Sequence, residues 1–408
     1  MKLLRRNRSF AALAYSTFFN RLGTAMYNLV FIAFAATVSE SELAVAIANI
    51  IVLIPVLVTF FVGIKADETR EKTKFFVYLG FVQALLFVGV AFLTQSATWL
   101  SFSIICLFNI FSDIIGDYRG GLELPIFQHT VAEEDLMEAH SINQFLSYIC
   151  NLVGQALGVY LLAFSNDNFM LVAGLNAILF LASTLVLFKY RQFLTHDPIT
   201  QSEKKTVIVQ FKEVYIGLRE VFQKSETDYF GLMLVVILLL NGLGSALTSI
   251  YNIYFLTRPL FELSFSQSIL TIQMIMVIFS MIGALTPHDY FAKLRLVSII
   301  YLDSLAILVI AINNSLGGSQ ILSLASLAFI AYLGGKINPK LNSLLMASLP
   351  SDVLARSGSF LSLLFMLAMP LGSTVFSIVS LANMQWTWAL YLVITILVVV
   401  MSRKLVSD

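Results

Sequence analysis

Six charged residues lie inside stretches of sequence that are otherwise apolar: Arg21, Asp113, Asp117, Asp303, Lys336 and Lys340. A charge within the hydrocarbon layer of a membrane is costly, so residues of this kind are candidates for function. Desolvation pushes a buried carboxyl group towards its neutral form, and a nearby cation favours the charged form. A carboxyl group in such a setting can bind a proton on one side of a membrane and release it on the other.

The spacing of these charges groups most of them in pairs. Asp113 and Asp117 are four residues apart, which places both carboxyl groups on one face of a helix. Lys336 and Lys340 share a face in the same way. Asp303 stands alone, and we expect it to form a hydrogen bond to a neighbouring helix. No group of residues matches a metal-ligand spacing, so the sequence predicts no metal site.

The apolar stretches that hold these charges are long enough to cross a membrane. A spanning helix needs about 20 mostly apolar residues. Hydrophobic residues make up 58% of this chain and charged residues only 12%, which is far from the composition of a soluble domain. The sequence therefore predicts an all-α membrane protein with twelve transmembrane helices, at residues 10–37, 43–64, 75–94, 97–119, 137–163, 168–188, 229–256, 264–285, 295–313, 319–346, 357–381 and 385–402.

The distribution of basic residues predicts the orientation of these helices. Among the 25 Lys and Arg residues, Arg21 lies within an apolar run and Arg258 in an outward loop, and the others lie near segment ends on one common side. Positive charge is retained on the cytoplasmic face, so both termini are predicted to be cytoplasmic in a protein of the cell membrane. Because the basic residues are spread over membrane-surface loops, we expect no binding of nucleic acid.

A long polar stretch divides the predicted helices six and six. The sequence predicts an N-terminal six-helix bundle at 1–188, a cytoplasmic linker at 189–228 and a C-terminal six-helix bundle at 229–408. Within the linker, residues 207–222 have apolar side chains at helical spacing, which predicts an amphipathic helix on the membrane surface. Residues 129–149 parallel residues 347–367, and internal repeats of this kind are typical of transporters built from two bundles.

The loop after the second predicted helix carries a recognisable motif. It reads Gly63-Ile-Lys-Ala-Asp67-Glu68-Thr-Arg70-Glu-Lys72-Thr-Lys74. A Gly, three residues, an Asp and then several basic residues form the signature between helices 2 and 3 of the major facilitator superfamily, which the whole chain resembles. Gly63, Asp67 and Arg70 match this motif, and Glu68 stands where the family usually has a basic residue.

Two further segments resemble one subfamily. Residues 349–373, LPSDVLARSGSFLSLLFMLAMPLGS, are similar to the loop and eleventh helix of macrolide-efflux-type drug:proton antiporters. VAEEDL at 131–136 matches the corresponding loop of the first half.

The resemblance implies that helices 1, 4, 7 and 10 line a central cavity, which would bring together all the intramembrane charges except Asp303. We then expect Asp113 to be the leading proton carrier, with Asp117 beside it and Arg21 as its modulating partner. A pair between Asp117 and Lys336, with Lys340 nearby, would latch the two bundles at the cytoplasmic mouth. Two other interpretations remain open. The aspartates can instead pair with Arg119 or the loop motif, and the lysines can simply extend to the cytoplasmic interface.

The expected cargo follows from the side chains on these cavity helices. Asn20, Tyr27, Asn241 and Tyr251 are candidates for contact with it, and an aromatic cavity suits bulky lipophilic compounds. The predicted function is therefore export of a lipophilic or macrolide-like compound in exchange for protons, by a monomer working through alternating access. A small-metabolite uniporter or symporter is one alternative, and a non-transporting membrane protein that assists secretion or immunity is another. No enzyme signature or phosphate loop is present, so neither catalysis nor a cofactor is expected.

Overall fold

The computed structural model describes residues 2–51, 53–132, 135–195, 219, 227–286, 289–348 and 351–407. Within these ranges the regular structure is helical, without a strand. The chain divides into two compact units, Met1–Gln201 with Phe265–Leu270, and Ser202–Ser264 with Thr271–Asp408. The predicted amphipathic helix at 207–222 lies outside the described residues, apart from position 219.

Eight helices of the described residues precede the linker. They are α1 (Lys2–Arg6), α2 (Arg8–Ala35), α3 (Ser41–Ile50), α4 (Leu53–Glu68), α5 (Lys72–Leu93), α6 (Trp99–Thr130), α7 (Leu136–Phe164) and α8 (Phe169–Tyr190). The second predicted helix is thus divided into α3 and α4. The predicted helix at 97–119 continues to Thr130 as α6, through Pro125.

In the part of the chain that the structure describes, six helices follow the linker. They are α9 (Phe230–Thr257), α10 (Phe265–Leu285), α11 (Leu296–Ser315), α12 (Gln320–Ser348), α13 (Ser351–Ala382) and α14 (Met384–Val406). Each coincides with one predicted transmembrane helix. Short 3-10 turns at Arg191–Phe193 and Phe291–Lys293 complete the regular structure of the described chain.

The lengths and compositions of these helices make the chain a multi-pass membrane protein. Ten helical segments of the described residues are long and apolar enough to cross a membrane, and Leu367–Ala382 on α13 is a shorter apolar stretch. The helix α2 has 28 residues and supplies the first predicted span, although it carries Arg21 and other polar side chains.

Glycine allows the closest helix contact within each unit. In the first unit, a Cβ atom on Gly158 of α7 would overlap the backbone oxygen of Met26 on α2. In the second unit, a Cβ atom on Gly372 of α13 would overlap the backbone oxygen of Gly242 on α9. The two helix pairs therefore pack backbone against backbone, which is how small residues strengthen helix contact in membranes.

The C-terminal extension of α6 is fixed by packing rather than by local sequence. Leu122 and Ile126 are fully buried, and Phe127 packs edge-on against Phe10 of α2 at 6.0 Å between ring centroids. Burial of these apolar side chains outweighs the cost of a proline inside the helix. As a result, Glu123 belongs to α6 and not to a loop.

Candidate functional site

The two aspartates of α6 differ in their surroundings. Asp117 is half-buried, and its Oδ2 accepts a hydrogen bond of 2.5 Å from Oγ1 of Thr59 on α4. Asp113 is exposed and forms no ion pair with the described residues. Tyr27 of α2 lies within electrostatic range of Asp113. Asp113 is therefore the more exposed of the two aspartates.

The side chain of Arg119 binds residues of α5. Its side chain is buried, with Nε donating to the backbone oxygen of Phe76 at 3.2 Å and Nη1 donating to Oε1 of Gln83 at 2.5 Å. The guanidinium group also lies over the Phe76 ring, 5.0 Å from its centroid. In the described structure Arg119 pairs with neither Asp113 nor Asp117, which argues against the interpretation that it holds those carboxylates as structural partners.

Glu123 is the charged residue that the sequence analysis missed. It lies one turn beyond Arg119 on α6, and its Oε1 accepts a hydrogen bond of 3.3 Å from Oγ1 of Thr17 on α2. Electrostatic interactions join Glu123 to both Arg119 and Arg21. The signal in the sequence was the four-residue spacing of Arg119 and Glu123, which is typical of a continuing helix.

Arg21 is bound to α7. Its Nη1 donates to the backbone oxygen of Asn143 on α7 at 3.0 Å. Glu123 is a carboxyl group within electrostatic range of Arg21, and Asp117 is one within range of Asp113. The pairing of Arg21 with Asp113 stays a prediction.

Lys336 of α12 is held by the loop that follows α10. Its Nζ lies 2.6 Å from Oδ2 of Asp289 and donates to the backbone oxygens of Gly283 and Thr286, at 3.1 and 2.8 Å. Oγ1 of Thr286 accepts from it as well, at 2.9 Å. Only 4% of the Lys336 side chain is exposed. The lysine therefore has a full set of partners within its own unit, and the latch to Asp117 stays a prediction.

Asp289 completes this loop anchor. Its Oδ1 accepts from the backbone N–H of Ala292 at 2.8 Å, and its Oδ2 also accepts from the hydroxyl group of Tyr332. Desolvation alone would raise the pKa of the Asp289 carboxyl group. The hydrogen bonds from Lys336, Tyr332 and Ala292 outweigh it and hold the pKa well below its usual range. The carboxylate is thus firmly ionised.

Lys340 follows Lys336 by one turn and binds the same region. Its Nζ donates to the backbone oxygens of Ala292, at 3.0 Å, and of Leu294. Lys340 therefore stabilises the turn before α11 instead of extending freely to an interface.

The first unit has a related arrangement at its loop motif. Gly63 and Asp67 belong to the end of α4, and Arg70 in the loop is exposed. The side chain of Asp67 lies outside the described residues. Lys72 is 4% exposed, and its Nζ donates to the backbone oxygen of Ala66 at 2.6 Å. In each unit a buried lysine thus binds the last carbonyl groups of the helix before the loop.

The predicted cargo contacts are mostly used in packing. Tyr27 is buried, with its ring edge-on to Phe87 at 4.8 Å. Asn241 donates to the backbone oxygen of Ile237 on its own helix, at 2.9 Å. Asn20 is half-buried. These three residues therefore show no preformed binding geometry within their units.

Tyr251 does line a cavity, but a small one. Its hydroxyl group accepts from Nδ2 of Asn314 at 2.7 Å, and Ser323 and Trp388 complete the nearby wall. The cavity has a volume of ≈ 30 Å³. That volume holds one or two water molecules and no bulky compound.

Comparison with known proteins identifies the fold. No protein-family model matches the chain, and no curated protein matches it in sequence. Among solved structures, the nucleoside transporter NupG superposes with a TM-score of 0.69 at 12% identity, covering 97% of this chain and 99% of that one. A POT peptide transporter gives a TM-score of 0.66 at 14% identity, covering 98% and 95%. The POT family transporter PepTSo gives 0.65 at 12% identity, covering 98% and 99%.

These similarities extend over nearly the full length of each chain. The protein therefore has the all-α major facilitator fold of these transporters, and the predicted fold class is confirmed.

Proposed function

We propose that this chain is a secondary active transporter that couples the movement of a small molecule to protons by alternating access. The observation that carries this proposal is the set of charges on α6. Asp113, Asp117 and Glu123 are carboxyl groups on one spanning helix, and Glu123 interacts with two arginines. The full-length similarity to transporters of nucleosides and peptides supports the same class of function.

In this proposal Asp113 remains the leading proton carrier. Its side chain forms no ion pair with the described residues, so no cation there holds the carboxyl group in its charged form. Glu123 is added as the carboxylate that Arg21 modulates. Protonation of Glu123 would remove the negative charge between Arg21 and Arg119, and the resulting repulsion would favour a rearrangement of α2 against α6.

For the cargo we propose a lipophilic or macrolide-like compound that is exported across the cell membrane by a monomer with both termini in the cytoplasm. The abundance of aromatic residues and the resemblance of residues 349–373 to macrolide-efflux antiporters support this choice. The gate between Asp117 and Lys336, with Lys340 beside it, belongs to the same proposal. The same proposal includes the loop motif of Gly63, Asp67 and Arg70. It also includes the division of the chain into an N-terminal bundle at 1–188, a linker at 189–228 and a C-terminal bundle at 229–408.

A small polar metabolite is the second candidate cargo. The solved structures with this fold include transporters of nucleosides and peptides. The half-buried guanidinium group of Arg21 uses Nη1 on a backbone oxygen, which leaves other N–H donors for an anionic group.

The test is transport by the purified full-length chain in proteoliposomes, with a pH gradient imposed in each direction. Labelled macrolide, nucleoside and dipeptide are offered in turn. We expect macrolide to accumulate on the acidic side of the membrane, as exchange for protons requires. The Asp113→Asn and Glu123→Gln variants should reduce macrolide accumulation to the level of empty liposomes. The control variant Glu262→Gln, which changes an exposed loop carboxylate, should leave the accumulation unchanged.

Other outcomes are equally decisive. Accumulation of nucleoside or dipeptide in place of macrolide would replace the lipophilic cargo by the metabolite. Flux that persists in Asp113→Asn would remove Asp113 from its role. Gradient-driven flux of none of the three compounds would count against transport and favour a protein that assists secretion or immunity.

A further inference from the structure

Asp303 is a buried carboxyl group that the proposed transport cycle does not use. It lies in the middle of α11, a spanning helix, and is 5% exposed. Its Oδ1 has no hydrogen-bond partner. Of the described lysine, arginine and histidine residues, none forms an ion pair with it. The hydrogen bond to a neighbouring helix that the sequence analysis expected is not formed at this oxygen.

The helices packed against α11 offer no compensating charge. Tyr391 of α14 is the titratable side chain within electrostatic range of Asp303, and its hydroxyl group donates to the backbone oxygen of Leu243 on α9 at 3.2 Å. On α12, Lys336 and Lys340 are bound to the loop between α10 and α11. On α14, Lys404 lies over the ring of Tyr229, 4.7 Å from its centroid.

The hydroxyl group of the adjacent residue, Ser304, is also occupied. Oγ of Ser304 donates to the backbone oxygen of Tyr301 at 2.7 Å and contacts Oγ of Ser402 at 2.8 Å. At Oδ1, an ionised carboxylate would have neither a cation nor a hydrogen-bond donor to replace its lost hydration, whereas a neutral carboxylic acid loses much less hydration energy on burial. A metal cation would need several oxygen ligands, which this part of the structure does not present.

We infer that Asp303 is a proton-binding site in the second unit, holding a proton on its carboxyl group in the resting protein. This site is separate from the carboxylates of α6. The protein would then carry an exchangeable proton in each unit, and the number of protons it binds would exceed what α6 alone provides.

Labelling of the full-length chain in lipid nanodiscs with dicyclohexylcarbodiimide at neutral pH tests this inference. The O–H of a protonated carboxyl group adds across a C=N bond of the reagent, and the O-acylisourea that forms rearranges to a stable N-acylurea. Peptide mass spectrometry should find this adduct at Asp303 in the wild-type chain and no adduct at that position in Asp303→Asn. Asp289, which is ionised against Lys336, is the internal control and should stay unmodified.

A second measurement covers the case in which the reagent does not reach the site. Because asparagine matches a neutral aspartic acid in size and charge, Asp303→Asn should leave the thermal midpoint at neutral pH unchanged within about 2 °C. The matched Asp289→Asn variant, which removes a carboxylate with an ion-pair partner, should lower it. A clear shift of the midpoint in Asp303→Asn, upward or downward, would show that the native carboxyl group is ionised and would overturn the inference. Modification of Asp289 with none at Asp303 would do the same.

Discussion

The ion pair between Lys336 and Asp289 gives the sharpest prediction for stability. The perturbation is Asp289→Asn, which keeps the size of the side chain but removes the charge 2.6 Å from Nζ of Lys336. The lysine would keep its carbonyl partners at Gly283 and Thr286. It would lose the one anion that compensates an ammonium group of which only 4% is exposed.

The magnitude follows from the geometry and the exposure of the pair. Two unit charges at this distance interact by about 6 kcal/mol at an effective dielectric constant of about 20. Asp289 is 27% exposed, so water screens part of this energy, and hydrogen bonds to charged groups contribute about 1.5–3 kcal/mol in measured series. We therefore expect a loss of about 2–3 kcal/mol, which for a chain of 408 residues corresponds to a fall of about 3 °C in the thermal midpoint.

The assay is a pair of double-mutant cycles on thermal unfolding of the purified protein. The first cycle combines Lys336→Met with Asp289→Asn, and the second combines Lys336→Met with Asp117→Asn. If Lys336 anchors the loop, the first cycle should show a coupling energy of about 2 kcal/mol, and any coupling in the second cycle would report the proposed gate to Asp117. Additivity in the first cycle would refute the assigned anchor.

The pH dependence of the first cycle provides an independent check. The pKa of Asp289 is lowered in the folded state, so its contribution is fully present above the unfolded value of about 3.9. The contribution is lost as the pH falls through the folded value, because the carboxylate then takes up a proton. The difference in stability between wild type and Asp289→Asn should accordingly be constant near neutral pH and shrink in strong acid.

Two further predictions concern packing. Gly158→Ala places a methyl group on the backbone of Met26 and should lower the free energy of unfolding by about 2 kcal/mol. The control Gly174→Ala, which has open space around it, should be neutral or slightly stabilising. The thermal midpoints of the two variants measure these effects. Arg119→Met leaves Oε1 of Gln83 buried without its donor and should lower the free energy of unfolding by about 3 kcal/mol. The control Arg70→Met, at an exposed position, should change it by less than about 0.5 kcal/mol. A thermal midpoint of Arg119→Met equal to that of the wild type would contradict the assigned contacts.

The order of the helices could be predicted from the sequence because hydrophobic length is a local property. The segment predicted at 168–188 is the helix Phe169–Tyr190, and the one predicted at 264–285 is Phe265–Leu285. The predicted end of α6, at residue 119, was wrong for a physical reason. Gly120, Gly121 and Pro125 favour a helix end locally, but burial of Leu122 and Ile126 continues the helix, and tertiary contacts override local preference.

The candidate site was predictable in its residues but not in its partners. A lone charge in an apolar run is visible in the sequence, which is why Arg21 and Lys336 were found. Their partners come from distant parts of the chain: Glu123 for Arg21, and Asp289 for Lys336. Pairing of this kind depends on how helices pack, and no spacing rule within one helix reports it.

The loop anchor also constrains how the second unit is made. Asp289 and its loop are synthesised before Lys336, so the carboxylate and the carbonyl groups that bind the lysine are already available when α12 leaves the ribosome. Until Nζ reaches them, α12 presents an uncompensated ammonium group to the membrane, which opposes its insertion as an isolated helix. The segment from α10 to α12 therefore has to enter the bilayer as a cooperative group, and a nascent chain that lacks Asp289 would expose α12 to quality-control proteolysis.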